Sequence, residues 1–450
     1  MSAIRLSDLR VCLDGMFPSV IATAAPDGTP NVSVISDARY LDAHHVALSY
    51  QFFNKTRANI LANPKASLQV TDPNTGSRYH LAMRYLRTET SGPLFEAMKA
   101  KLAGIASHVG MGEVFRLRGA DVYEVEDIEC VVGDVAPRGA GEDLLAGLRA
   151  GLPLLRRAED LEDLLDATLH ALALHLGFHH CMILSADSAR RRLFTVASHG
   201  YPQSGVGSEI AFGEGVIGVA AAERTPVRIT HMARDYLYGE VVRRQFAAAH
   251  GVPDLERRIP FPGLAESRSQ LAVPIVTGEC LVGAIYVEGL EDGAITPLDE
   301  DACVVLAEQF ADCYRCVMHL EAEDEEDEEP PTDWPAQGEP LLVRHDAHDH
   351  SVFVDGEYLI KGVAGAILWR ILHEYEDTRR VLFTNRELRR DPRLGLPEIA
   401  DNLEARLVLL QKRLDERRPG LRLQKAGRGR YQLQVLRPIE FDTAERPLDA

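Results

Sequence analysis

The sequence predicts a multidomain chain: a β-rich barrel unit, then an α+β unit, then a helical unit closed by a β-hairpin. Three observations predict it. The 450 residues exceed what one hydrophobic core serves, about 250–300 residues. Short alternating strands give way near residue 158 to leucines at helical spacing. An acidic, proline-bearing stretch at 321–340 then interrupts all apolar periodicity. With 46% hydrophobic and 26% charged residues, each unit has enough apolar material to fold.

In the first unit, residues 1–135, strands are expected at 19–23, 31–36, 46–50, 66–71 and 79–87. The first two flank Ala25-Pro26-Asp27-Gly28-Thr29-Pro30, whose Pro and Asp-Gly make a tight reversal. A helix is expected over 54–62, with Asn54 as N-cap and Asn63-Pro64 ending it. Short strands of this kind suit a small closed barrel.

The second unit, residues 150–320, opens with a helix over 158–176, where Leu161, Leu164, Leu165, Leu169 and Leu172 keep helical spacing. Strands are expected at 181–185, 193–198, 227–229, 270–275 and 281–288, and a helix over 297–318. Helices bracketing an antiparallel sheet give an α+β fold.

Residues 321–340 form an acidic linker, since like charges and proline cannot build a core. The third unit, residues 341–437, reads strand, strand, three helices, hairpin. Residues 438–450 are expected to be a frayed tail.

The net charge of −19 excludes a chain coated with basic surface. It hides an asymmetry: residues 379–437 hold 16 Lys/Arg against 7 Asp/Glu, and phosphate attraction is local, screened beyond about 10 Å. No apolar run approaches the roughly 20 residues that span a bilayer, and the N-terminus lacks a signal-peptide pattern. Seven scattered cysteines without framework spacing point to a reducing cytoplasm.

Some clusters invite metal or redox readings. His179-His180-Cys181 lies on a strand, where neighbours face opposite ways. Cys313 and Cys316 share a helix face without a thioredoxin-like setting. His345, His348 and His350 read as a solvated turn rather than zinc ligands.

The motifs carry three resemblances. Gly28-Thr29-Pro30-Asn31-Val32-Ser33, Val46-Ala47-Leu48-Ser49-Tyr50 and Asn54-Lys55-Thr56-Arg57-Ala58-Asn59-Ile60-Leu61-Ala62-Asn63-Pro64 make the first unit similar to the pyridoxamine-5′-phosphate-oxidase-like FMN-binding split barrels. The resemblance implies FMN and a homodimer. Its phosphate would be met by Lys55, Thr56 and Arg57 at a helix start, where amides and dipole favour anions, and by Arg84. Ser49, Tyr50 and Gln51 would meet the ring. On this reading Lys55→Ala with Arg57→Ala lowers FMN affinity and leaves the fold intact. No residue stands out as a catalytic base.

Gly213-Glu214-Gly215-Val216-Ile217-Gly218, Arg224-Thr225-Pro226-Val227, Ser269-Gln270-Leu271-Ala272-Val273-Pro274-Ile275 and Val282-Gly283-Ala284-Ile285-Tyr286-Val287 make the second unit resemble a GAF domain. That implies sensing of an unnamed small molecule, with the long stretch 231–267 as a lid. Phe353-Val354-Asp355-Gly356-Glu357, Phe383-Thr384-Asn385-Arg386-Glu387-Leu388 and Lys425-Ala426-Gly427-Arg428-Gly429-Arg430-Tyr431 make the third resemble the winged-helix domain of OmpR-type regulators, though without a receiver domain. Residues 401–417 would be the recognition helix. Leu403, Leu407, Leu410 and Leu414 form its packing stripe. Asn402, Arg406, Arg413 and Arg417 would face double-stranded DNA, since Arg and Asn read guanine and adenine edges. Arg428 and Arg430 would meet phosphates.

The expected function is a ligand- or redox-responsive transcriptional regulator. The alternatives are a flavin-dependent oxidoreductase with regulatory domains and a signalling adaptor.

Overall fold

The computed structural model describes residues 4–13, 17–35, 37–50, 54–109, 117–133, 144–231, 259–323, 336–394, 396 and 403–442. The first unit contains β1 (Ser19–Ala24), β2 (Pro30–Ile35), β3 (Ala38–Tyr40), β4 (His45–Tyr50), α1 (Asn54–Ala62), β5 (Lys65–Thr71), β6 (Arg78–Glu89), α2 (Pro93–Val109) and β7 (Gly119–Val132). The strands form one antiparallel sheet in the order β2-β1-β5-β6-β7-β4-β3.

Period-two burial gives this sheet its inner face. Ser19, Ile21 and Thr23 of β1 point inward, joining Leu48, Leu68, Leu81, Met83 and Tyr123 in a core. A 3-10 segment, Leu6–Leu13, adds Leu6, Leu9 and Leu13 to it. The β1–β2 reversal forms as expected, with Gly28 at φ +87° and the Thr29 amide donating to Asp27 Oδ1 at 2.9 Å. Both α2 and β7 lie where the sequence reading placed no element.

The second unit opens with α3 (Leu144–Leu155) and α4 (Leu161–His170), followed by a π turn at Ala171–His175. The single helix expected over 158–176 therefore starts later. Asp160 is its N-cap, accepting from the Asp163 amide at 2.9 Å. Next come β8 (His180–Asp187), β9 (Arg192–His199), β10 (Glu209–Ala211), α5 (Gly215–Glu223), β11 (Val227–Ile229), β12 (Ser269–Thr277), β13 (Cys280–Gly289) and α6 (Pro297–Glu323).

The sheet order is β10-β9-β8-β13-β12-β11. One face packs on α4 and α6 through Leu164, Ile183, Val273, Ile285 and Phe310. The other packs on α5 through Met182, Leu184, Val216, Ala220 and Tyr286, and Ala100 of α2 joins it. Arg10–Asp301 at 2.7 Å, Arg39–Glu300 at 3.8 Å and Lys99–Glu223 at 3.2 Å also link the two units.

The third unit contains β14 (Leu341–Asp346), β15 (Ser351–Val354), β16 (Glu357–Ile360), α7 (Gly362–Thr378), β17 (Leu382–Thr384), α8 (Asn385–Arg390), α9 (Leu403–Arg417), β18 (Leu421–Lys425), β19 (Arg430–Val435) and β20 (Ile439–Phe441). One sheet runs β16-β15-β14-β20, the other β17-β19-β18. Strand β20 corrects the expected frayed tail, since it pairs in parallel with β14. Helix α6 reaches Glu323, into the expected linker, while 324–335 lie outside the described residues. Thr384 caps α8, accepting from the Glu387 amide at 3.2 Å, the first half of a capping box.

Gly283 makes the central β8–β13 pairing possible. A Cβ there would sit 2.1 Å from the Leu184 carbonyl oxygen, so only glycine fits. Gly283→Ala should cost about 1–3 kcal/mol or more, the scale of core overpacking. Urea unfolding checks this, and an unchanged midpoint contradicts it.

Candidate functional site

On the barrel, the expected phosphate cradle does not assemble as a set. Thr56 is buried and turned inward, its Oγ1 receiving Asn31 Nδ2 at 2.9 Å and lying 2.8 Å from Ser33 Oγ. Arg57 is also committed. It donates to Asp121 Oδ1 at 2.6 Å and Thr88 Oγ1 at 2.5 Å, with its guanidinium over the rings of Tyr50 (4.8 Å) and Tyr85 (5.9 Å). Burial pushes the Asp121 carboxyl upward, while Thr88 and Arg57 pull it down.

Arg84 lies on β6, paired with Glu124 and Glu126. Ser49 is buried, its Oγ accepting from the Asp37 amide at 3.2 Å. Gln51 lies outside the described residues. Lys55 alone of these cations is exposed without an ion pair among the described residues. The side chains present therefore do not fit the phosphate of FMN in the manner expected, because two of three cations are already neutralised.

On the α5 face of the second sheet a different site emerges. Glu288 of β13 is 4% exposed. Its Oε1 accepts from the Leu264 amide at 2.9 Å and its Oε2 from the Tyr286 hydroxyl at 3.1 Å. Tyr286 meets Phe261 edge to face at 6.2 Å. Tyr201 packs on His180 at 5.5 Å, and its hydroxyl is buried beside the same carboxylate without a well-formed hydrogen bond. Gln270 donates to Ser267 Oγ at 3.1 Å.

A buried carboxylate among aromatic rings suits a ligand bearing a cation or several donors. Sequence reading quoted Gln270 and Tyr286 only as motif letters and missed Glu288. The signal available was a lone acid ending an otherwise apolar strand. The expected lid, 232–258, lies outside the described residues.

Thiol chemistry on this sheet finds little support. Burial pushes Cys181 up to about 12 and Cys303 well up, and a thiol held protonated is a poor nucleophile. His180 and Cys181 do not converge with other ligands. Among the described residues no group of three or more His, Cys, Asp or Glu side chains is placed to hold a metal. His345 is half-buried rather than solvated, stacked on Trp369 at 4.6 Å.

The third unit corrects the expected DNA-reading face. Arg406 is 9% exposed. Its Nη2 donates to Asp187 Oδ2 of the second unit at 2.5 Å, and its guanidinium lies 3.8 Å over the Phe194 ring. Burial holds its pKa down to about 10. Arg413 is 3% exposed. Its Nε and Nη2 donate to the Leu359 carbonyl at 3.2 Å and its Nη1 to Glu416 at 2.6 Å, which makes it an internal strut. Neither reaches a groove in this arrangement.

Arg417 is exposed, 3.7 Å from Glu357, and Asn402 lies outside the described residues. Arg428 is exposed at the hairpin turn, and Arg430 is half-buried in β19. The Asn385 amide donates to the Gly429 carbonyl at 2.8 Å, which puts that turn beside α8. Arg386 and Arg390 of that helix are exposed. A shallow concavity of about 660 Å³ on α8 is lined by Arg370, Arg386, Arg390 and Arg393 together with Glu387 and Asp391, and Asp391 pairs with Arg370 and Arg393.

Comparison with known proteins places these units. Residues 158–313 match the GAF domain family, and residues 10–125 the pyridoxamine 5′-phosphate oxidase family. The first two units are thus a GAF domain and a barrel of the pyridoxamine 5′-phosphate oxidase type. An uncharacterised protein of Methanocaldococcus jannaschii is 48% identical over 50 residues, 11% of this chain and 34% of that protein; the match spans about a third of that relative's length.

Among solved structures, an FMN-binding protein from Syntrophomonas wolfei is 18% identical, covering 29% of this chain and 87% of that one, at a TM-score of 0.25. The GAF domain of an Acinetobacter phosphoenolpyruvate-protein phosphotransferase is 23% identical, covering 41% and 97%, at 0.30. Free methionine-R-sulfoxide reductase of Neisseria meningitidis with its substrate is 16% identical, covering 41% and 95%, at 0.32.

Two outcomes follow from the geometry. Arg57→Ala strands the Asp121 carboxylate in a buried position, at a cost of about 3–5 kcal/mol, so the fold is not expected to stay intact as the sequence suggested. Denaturant unfolding reads this directly, and a loss below 1 kcal/mol contradicts it.

Glu288 gives a pH signature. Burial pushes its carboxyl above the ordinary value. The folded state then holds the proton more tightly than the unfolded chain. The resulting stabilisation is complete below the unfolded pKa and is lost as pH rises through the folded one. Glu288→Gln cannot ionise, so its Tm should rise relative to wild type as pH climbs from about 4 to about 8. A Tm difference independent of pH rules this out.

Proposed function

We propose that this chain is a signal-responsive regulator, in which the barrel and the GAF domain sense and the C-terminal module carries the response to double-stranded DNA. The observation that carries the reading is that α8, with exposed Arg386 and Arg390, and the hairpin turn, with exposed Arg428, are held together by the Asn385–Gly429 hydrogen bond. Phosphate binding needs cations of this kind, presented together at a rigid surface. The order of elements, a sheet, three helices and a hairpin, supports a winged-helix module.

The GAF ligand is a small molecule whose cation or donor groups meet Glu288. A flavin on the barrel is supported by the family match, with Lys55 and the α1 amides rather than Arg57 as its phosphate contacts. Val32 and Val34, 66% and 57% exposed on edge strand β2, offer apolar surface to a second copy, in keeping with a homodimer. Among the described residues no helix is long and apolar enough to cross a membrane, and a cytoplasmic place of action is part of the same proposal.

Binding of the full chain to genomic duplex fragments at two salt concentrations tests the DNA step. Arg390→Ala with Arg428→Ala should weaken binding to all sequences alike and flatten the salt dependence by about one unit per lost contact. Absence of duplex affinity at low salt would sink the regulator and promote the adaptor.

A further inference from the structure

The second face of α9 is closed by the GAF domain, and the contacts are charge-complementary along its length. Leu403, Leu407, Leu410 and Leu414 pack within the C-terminal module. Ala405 meets Leu161, Leu165, Phe310 and Tyr314 around a void of about 20 Å³, and Leu409 lies over Gly207.

Between these apolar contacts runs a row of GAF-domain carboxylates, each facing a donor of the module. Asp187 holds Arg406 at 2.5 Å. Glu162 accepts from Gln411 at 2.9 Å. Asp166 pairs with Lys412 at 3.2 Å and Asp160 with Lys425 at 2.8 Å. Glu209 adds Lys361 at 3.5 Å. The row runs from the end of β8 to the N-cap and middle of α4, and it faces α9 and the base of the hairpin together.

We propose that Asp160, Glu162, Asp166 and Asp187 form an internal docking surface that stands in for nucleic-acid phosphates. It competes with duplex DNA for Arg406, Lys412 and Lys425. This rests on the DNA reading above and adds its regulation. In the docked form Arg406, Lys412 and Lys425 are engaged by the row, and binding is weak and insensitive to sequence. Undocking frees three further cations and one helix face. Arg413 takes no part, since its partners Leu359 and Glu416 belong to the module itself. Charge alone does not set the balance, because Ala405 and Leu409 must also leave their apolar contacts.

The test uses the full chain with Asp166→Lys and Asp187→Lys, which places repulsion opposite Lys412 and Arg406 and leaves the Asp160 cap in place. Hydrogen exchange of α9 amides reports undocking, and duplex binding is titrated between 50 and 200 mM salt. The expected result is faster α9 exchange, at least tenfold tighter duplex binding at low salt, and a salt dependence steeper by about two to three units, about 0.9 per freed cation. Arg406→Asp combined with Asp187→Arg restores an ion pair and should restore slow exchange.

Unchanged α9 exchange overturns the docking role of the row. Faster exchange with duplex binding equal to a measurable wild-type affinity overturns the competition and leaves the DNA reading standing. Faster exchange with no duplex affinity in either protein overturns the DNA reading, and the competition with it.

Discussion

Helix α9 has no side left for water over its first two turns: Leu403 through Leu410 are all buried. Its leucine stripe belongs to the C-terminal module, and the opposite side, with Ala405, Arg406 and Leu409, belongs to the GAF sheet and α4. A helix apolar on two sides is a core element, and here the core it serves spans two units. Buried residues from both fall in one continuous cluster. The position of the module therefore follows the GAF domain wherever α9 stays seated. The Arg406–Asp187 pair inside this contact is specific rather than cheap: a buried ion pair roughly breaks even against apolar packing, but either member alone is a costly orphan.

Much of the fold was legible because period and punctuation agreed. The strand β1 alternates, Asp27-Gly28 turns the chain, and Asn63-Pro64 stops α1. Elements without punctuation were missed. Strand β7 is bulged in its pairing with β6, which breaks simple alternation. Strand β20 is three residues long, too short for any period, and exists through its parallel partner β14.

The site was less legible, for a physical reason visible in single residues. Arg57, Arg406 and Arg413 look alike in a sequence: basic, at the right spacing, beside the right motif. Their fate was decided by acids or carbonyls far along the chain. Asp121 lies 64 positions from Arg57, and Asp187 lies 219 from Arg406. Ligand-facing charge and self-paired charge differ only in the partner, and helical spacing carries no trace of it. Glu288 shows the converse. It is a single acid whose burial gives it weight, and burial is likewise a property of the assembled sheet.

Strand β20 sets the order in which its own module can be completed during synthesis. It follows every other strand of its module along the chain, yet the sheet of that module is incomplete without it. Synthesis at about 5–20 residues per second leaves several seconds between completion of the GAF sheet and arrival of β20. During that interval the acidic row is already presented, while the basic helix emerges with its own module unfinished. The nascent helix thus meets this seat, together with α7 and β16, before β18 to β20 exist. The ion pairs that seat α9 on the GAF domain can therefore form before the sheet of the C-terminal module is complete.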